Sequence, residues 1–167
     1  MIEEKLSEAV YKLASKMGLR INSIVLFGSH ARKEDLQWSD VDLLIISEDF
    51  SDMRMDDRVR LVLEKWDYEK PVEPVCLAPS EVSESNPLIW EVCRDGVVIM
   101  DDGTFNILRT KCMKRFNESG IKRLEYGYVE QEWVIHCNVG NYNRMLNMEV
   151  KKRAIAKRVQ AISWSNF

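Results

Sequence analysis

Hydrophobic residues at the start of the chain recur at Ile2, Leu6, Val10, Leu13 and Met17. A step of three to four residues is the period of one face of an amphipathic α-helix. Gly18 follows where such a helix stops. The pattern then changes. Residues 21–27 (INSIVLF) and 41–47 (VDLLIIS) are short runs of β-branched and large apolar residues, and read as strands. Residues 53–68 return to helical spacing, with Met55, Val59, Val62, Leu63 and Trp66 on one side. Residues 71–78 (PVEPVCLA) are extended, because each proline disfavours helix in the residue before it. Pro79-Ser80-Glu81 opens a short helix, and residues 87–94 (PLIWEVCR) form a second, ended by Gly96. Residues 97–100 (VVIM) make a last strand, closed by the turn Asp101-Asp102-Gly103.

This order predicts an α+β fold, a small mixed β-sheet with helices packed on it. Beyond Gly103 the texture changes. Residues 104–117 read as a basic helix broken at Ser119-Gly120, and residues 121–129 as a short strand or hairpin arm. Residues 130–143 are weakly patterned, and 144–162 read as a basic helix with Met148, Ile155, Val159 and Ile162 along one stripe. The expected division is residues 1–103 as one domain and 104–167 as a basic, mostly helical C-terminal extension.

Charge sharpens that division. Residues 1–103 carry 12 Lys/Arg against 22 Asp/Glu, a balance of −10, while residues 104–167 carry 12 against 5, a balance of +7. Such asymmetry points to different partners or to mutual electrostatic contact. The basic pairs in 144–162 offer a site for RNA or an acidic protein, but a solvated helix face is the favoured reading. No apolar run approaches the roughly 20 residues that span a bilayer, so no membrane association is expected. The acidic, periodic N-terminus lacks the features of a signal peptide, and a cytoplasmic location is expected. Cys76, Cys93, Cys112 and Cys137 form no CxxC pair, which argues for reduced, largely buried thiols rather than a zinc site.

Candidate chemistry concentrates in residues 26–46 (LFGSHARKEDLQWSDVDLLII). In a strand, residues two apart share a face, so Asp40 and Asp42 project together, opposite Val41, Leu43 and Ile45. Two carboxylates side by side repel each other, and a divalent cation relieves that repulsion; oxygen ligands favour Mg²⁺ or Mn²⁺. An isolated Asp-x-Asp is more often a solvated strand end. Gly28-Ser29 changes the balance. Glycine directly after a strand permits a sharp turn and close approach to a ligand, and Ser29 suits the first position of a helix whose N–H groups can meet phosphate. His30 reads as a solvent-facing residue at that helix start. Trp38, Trp66 and Trp90 read as packing residues.

Gly28-Ser29, ten intervening residues and Asp40-Val41-Asp42 resemble the signature of the DNA-polymerase-β-like nucleotidyltransferases. The surrounding GSHAR and SDVDLLI look like the minimal nucleotidyltransferases of that superfamily; the resemblance covers residues from about 20 to 103. It implies a third carboxylate on a later strand, for which Glu73 is the candidate, a mild departure from the more common Asp. It further implies that Asp40, Asp42 and Glu73 are the catalytic and metal-binding residues. Gly28, Ser29 and Arg32 would bind the nucleotide, Arg32 one helical turn beyond Ser29. The implied substrate is ATP or another nucleoside triphosphate with Mg²⁺ or Mn²⁺. The implied reaction moves a nucleoside monophosphate, AMP foremost, onto an acceptor hydroxyl. Minimal members often pair with a small helical protein, so such a partner is expected, with a homodimer as a further option. The competing reading is a non-catalytic scaffold that binds a partner protein or RNA.

Overall fold

The computed structural model describes the backbone of residues 4–119, 122–124 and 127–129, and the side chains of residues 4–118. The expected helix over 144–162, like Cys137, lies outside the described residues.

The amphipathic start of the chain forms α1 (Glu4–Met17), with Leu6, Val10, Leu13 and Met17 buried. Then follow β1 (Ile21–Phe27), a short α2 (Gly28–Arg32) and β2 (Val41–Ser47). A 3₁₀ turn at Glu48–Asp52 leads to α3 (Met55–Lys65) and β3 (Val72–Leu77). After a second 3₁₀ turn at Pro79–Glu81 come α4 (Pro87–Asp95), β4 (Val97–Asp101) and α5 (Thr104–Ser119). The strands β5 (Lys122–Leu124) and β6 (Gly127–Val129) pair antiparallel, so the segment expected to be one short strand or hairpin arm holds two strands.

The main sheet runs β3-β2-β1-β4. Strand β1 is antiparallel to both β2 and β4, while β2 and β3 are parallel. The mixed α+β architecture is therefore as expected. Both sheet faces are covered, which explains why IVLF and LLII are continuous apolar runs rather than alternating ones. On one face, Ile24, Leu26, Leu43 and Ile45 pack against α1, Phe50 and Val62 of α3. On the other, Val25, Phe27, Leu44 and Ile46 pack against Ile89, Trp90 and Cys93 of α4. Phe105 and Cys112 of α5 join this second cluster, so α5 shares the core of the preceding residues.

Three helical details differ from expectation. Helix α3 ends at Lys65, with Trp66 already extended and its indole N–H donating to the Lys70 carbonyl at 2.7 Å. Leu63 is exposed, and Arg58 occupies the buried side beside Val62 instead. Arg58 is tolerated there because its guanidinium is satisfied: it donates to the carbonyls of Met53 and Cys76 and to the Glu81 carboxylate. Glu81 also accepts from the Ala78 N–H at 2.7 Å. This network fixes the C-terminal end of β3 to α3. Helix α5 begins where it does because Asp101 accepts from the Phe105 and Asn106 N–H groups, and Asp102 from Thr104.

Candidate active site

Strand pairing places the candidate acids. The parallel register of β2 and β3 sets Asp42 directly beside Glu73, so the two side chains leave the same face of neighbouring strands. Asp40 precedes Asp42 by two residues, just outside the strand. Asp42 is half-buried, and Asp40 and Glu73 are exposed. Burial pushes the Asp42 carboxyl up to about 6, and repulsion from Glu73, Asp40 and Glu91 adds to the rise. A half-buried carboxylate repelled by neighbouring acids is an arrangement that a cation stabilises.

Gly28 turns the chain at the end of β1 with φ +67°. A Cβ built there would stand 2.7 Å from Asp42 Cγ and nearer still to Oδ2. The glycine therefore does two things: it supplies a left-handed backbone and gives Asp42 its space. Helix α2 begins at Gly28 itself, with Phe27 in the cap position and no side-chain cap, so Ser29 lies within the first turn rather than opening it. The Ser29 hydroxyl has no hydrogen-bond partner among the described residues.

Arg32 lies in ion pairs rather than in the open. Its Nε donates to Glu34 at 2.8 Å and its Nη1 to Glu91 of α4 at 2.8 Å. His30 is not solvent-facing: its side chain is 9% exposed, with Nδ1 3.4 Å from Asp35 and Nε2 3.3 Å from the Ser39 carbonyl. Lys70 donates to Asp35 at 3.1 Å, and the Leu36 N–H to Ser39 Oγ at 2.8 Å. The loop 33–40 is thus braced from below. Its Trp38 is 78% exposed, against the packing role expected of it, whereas Trp90 is buried in the α4–α5 cluster.

The structure brings Gly28, Asp42 and Glu73 together, with Asp40 at the strand entrance and Ser29 and Arg32 on the adjoining short helix. Among the described residues, no three His, Cys, Asp or Glu side chains stand close enough to enclose a metal ion as they are. The donor chemistry nevertheless fits a hard divalent cation, since the three candidate ligands are all carboxylates and two of them are exposed. Glu91 was not legible in the sequence. A single Glu in an amphipathic helix carries no local signal, and only the packing of α4 against α2 places it here.

A family model described as a nucleotidyltransferase domain matches residues 4–158. A Methanocaldococcus jannaschii protein provisionally named a protein adenylyltransferase is 32% identical over 143 residues, covering 81% of this chain and 95% of that protein. A solved variant of the toxin–antitoxin complex MntA–HpeT shares the fold with a TM-score of 0.50 at 17% identity, over 66% of this chain and 86% of that one. One chain of the solved complex of the tri-AMPylated Shewanella oneidensis HEPN toxin with its MNT antitoxin aligns with a TM-score of 0.47 at 17% identity, over 66% of this chain and 83% of that one. The chain belongs to the nucleotidyltransferase domain family. That membership agrees with the nucleotidyltransferase resemblance read from Gly28-Ser29 and Asp40-Val41-Asp42. Among the described residues, no helix is long and apolar enough to cross a membrane.

Proposed function

We propose that this nucleotidyltransferase transfers AMP from ATP to a hydroxyl on a partner protein, in a reaction that depends on Mg²⁺ or Mn²⁺. The observation that carries the reading is the registry of Asp42 with Glu73 beside the Cβ-free surface of Gly28. Oxygen ligands at adjacent strand positions suit a divalent cation, and a glycine turn leaves the backbone accessible to a phosphate chain. The provisional name of the M. jannaschii relative supports AMP as the transferred group and protein as the acceptor.

In this reaction an acceptor oxygen attacks the α-phosphorus, the bond from that phosphorus to the bridging oxygen breaks, and pyrophosphate leaves. Asp40, Asp42 and Glu73 would hold the cation, which when bound supplies charge neutralisation for the triphosphate. Asp42 is the fixed ligand, because burial and the Gly28 surface leave it little freedom. Glu73, exposed at the edge strand, orients the acceptor hydroxyl and takes its proton. Ser29, whose hydroxyl is unengaged, donates to a phosphate oxygen. Arg32 contributes a charge-assisted contact to the same phosphates.

The test is incubation of the chain with α-labelled ATP, Mg²⁺ and candidate partners, small all-helical proteins first. Label on a partner that is lost with Asp40→Asn/Asp42→Asn, and lost in chelator, supports the reading. Pyrophosphate release and labelling that survive the double substitution overturn it.

A further inference from the structure

Helix α2 carries Gly28, Ser29 and Arg32, yet it has little holding it. It is five residues long, has no side-chain cap and buries none of its residues fully. Beside the packing of Ala31 against the first core cluster, its position depends on polar side-chain links to its surroundings. His30 supplies one, to the loop 33–40. The other crosses to a different element: Arg32 Nη1 donates to Glu91 Oε1 at 2.8 Å, with the two side chains 22% and 30% exposed. A charge-assisted contact at this depth is screened less than a surface pair and is directional.

The atoms used are informative. Arg32 spends Nε on Glu34 and Nη1 on Glu91, and Nη2 has no partner among the described residues. A guanidinium gripped at two corners loses the rotamer freedom that otherwise makes a long cationic side chain costly to order. Its third corner keeps two N–H donors for an incoming anion. Helix α4, which bears Glu91, is itself well anchored: Ile89, Trp90, Val92 and Cys93 are buried on either side of that residue in the chain.

We infer that Glu91 is a positioning residue of the nucleotidyl-transfer site, holding Arg32 and through it α2 so that the free corner of the guanidinium meets the nucleotide triphosphate. This rests on the nucleotidyl-transfer reading above. Glu91 itself touches no phosphate. Its carboxylate repels one, and it acts only by fixing a cation.

The test measures the affinity of the full chain for Mg²⁺ with the non-cleavable α,β-methylene analogue of ATP by calorimetry, with thermal melts confirming folding. Glu91→Ala weakens binding about tenfold, the scale of one charge-assisted hydrogen bond. Glu91→Gln keeps an acceptor oxygen at the same reach and recovers most of that loss. In an Arg32→Ala background, Glu91→Ala costs nothing more, since the residue it positions is gone. A purely structural role for Glu91 would instead give the same loss with or without Arg32, and that overturns the inference. So does unchanged or tighter binding by Glu91→Ala, which would make the carboxylate a plug rather than a brace. Wild-type protein that fails to bind the analogue overturns the nucleotidyl-transfer reading and this inference together. Wild-type binding with an indifferent Glu91→Ala overturns this inference alone.

Discussion

Gly28 and Asp42 share one space: a methyl group at Gly28 would stand 2.7 Å from Asp42 Cγ. Gly28 directly follows β1 and Asp42 is the second residue of β2, and Phe27 is the registered partner of Asp42 across the β1–β2 pair. Glycine is thus required at this turn by its φ of +67° and by the carboxylate it faces.

Gly28→Ala should therefore damage the site more than the fold. The left-handed backbone and the displaced Asp42 together cost roughly 1–3 kcal/mol. Urea denaturation should register that loss, and metal-dependent nucleotide binding should fall by more than the small drop in folded population explains. Full binding by this variant would show that Asp42 needs no such space.

Asp42 should also cost stability at neutral pH. Its carboxyl is raised from an ordinary 3.8 to about 6. The folded state thus holds this proton more tightly than the unfolded state, and stability falls as pH rises from the lower value through the upper one. Because the carboxyl is only half-buried, solvent screening leaves part of that span, on the order of 1–2 kcal/mol. Asp42→Asn, measured in chelator, should be more stable than wild type at about pH 8 and should lose that advantage below about pH 4. Adding Mg²⁺ should stabilise the wild type and leave the variant unmoved. Equal stability of the two proteins at every pH would contradict the burial of a charged Asp42.

The Arg58–Glu81 pair should work in the opposite sense. Hydrogen bonding to Arg58 holds the Glu81 carboxyl below its ordinary value of 4.5. Its contribution is present above that value and is lost as pH falls through the lower folded one. Glu81→Gln should flatten the acid limb of the stability profile. Arg58 is 4% exposed, and Arg58→Ala should cost about 3 kcal/mol by leaving Glu81 and two carbonyls without their donor. Chemical denaturation checks both.

The tryptophans separate by burial. Trp38→Ala should change stability by less than about 0.5 kcal/mol, since its side chain is 78% exposed. Trp90→Ala should cost roughly 3–5 kcal/mol, because its ring packs edge-on against Phe116 within the α4–α5 cluster. Comparable thermal midpoints for the two variants would contradict the packing described.

Much of this fold was legible because its periodicities are plain. The INSIVLF and VDLLIIS strands, the α1 stripe and the Pro-rich third strand each carried their own signal, and the spacing from Gly28 to Asp42 carried the site. What escaped was set by tertiary contact. Arg58 sits where a helical pattern asks for an apolar residue, and only Glu81, far along the chain, makes that tolerable. His30 reads as a surface residue until the 33–40 loop folds over it. Trp38 reads as a packing or packing-edge residue, yet it stands 78% exposed on that loop. Glu91 gained its place from α4 crossing to α2, which no local window contains.

The central claim is that Asp40, Asp42 and Glu73 gather a divalent cation against a bound nucleotide. It is tested most directly by titrating Mn²⁺ into the full chain with and without the α,β-methylene analogue of ATP, reading free Mn²⁺ by electron paramagnetic resonance. Tight uptake that requires nucleotide, and that disappears on Asp40→Asn/Asp42→Asn and weakens on Glu73→Gln, is the predicted result. Equal uptake by the wild type and the folded double variant would contradict it.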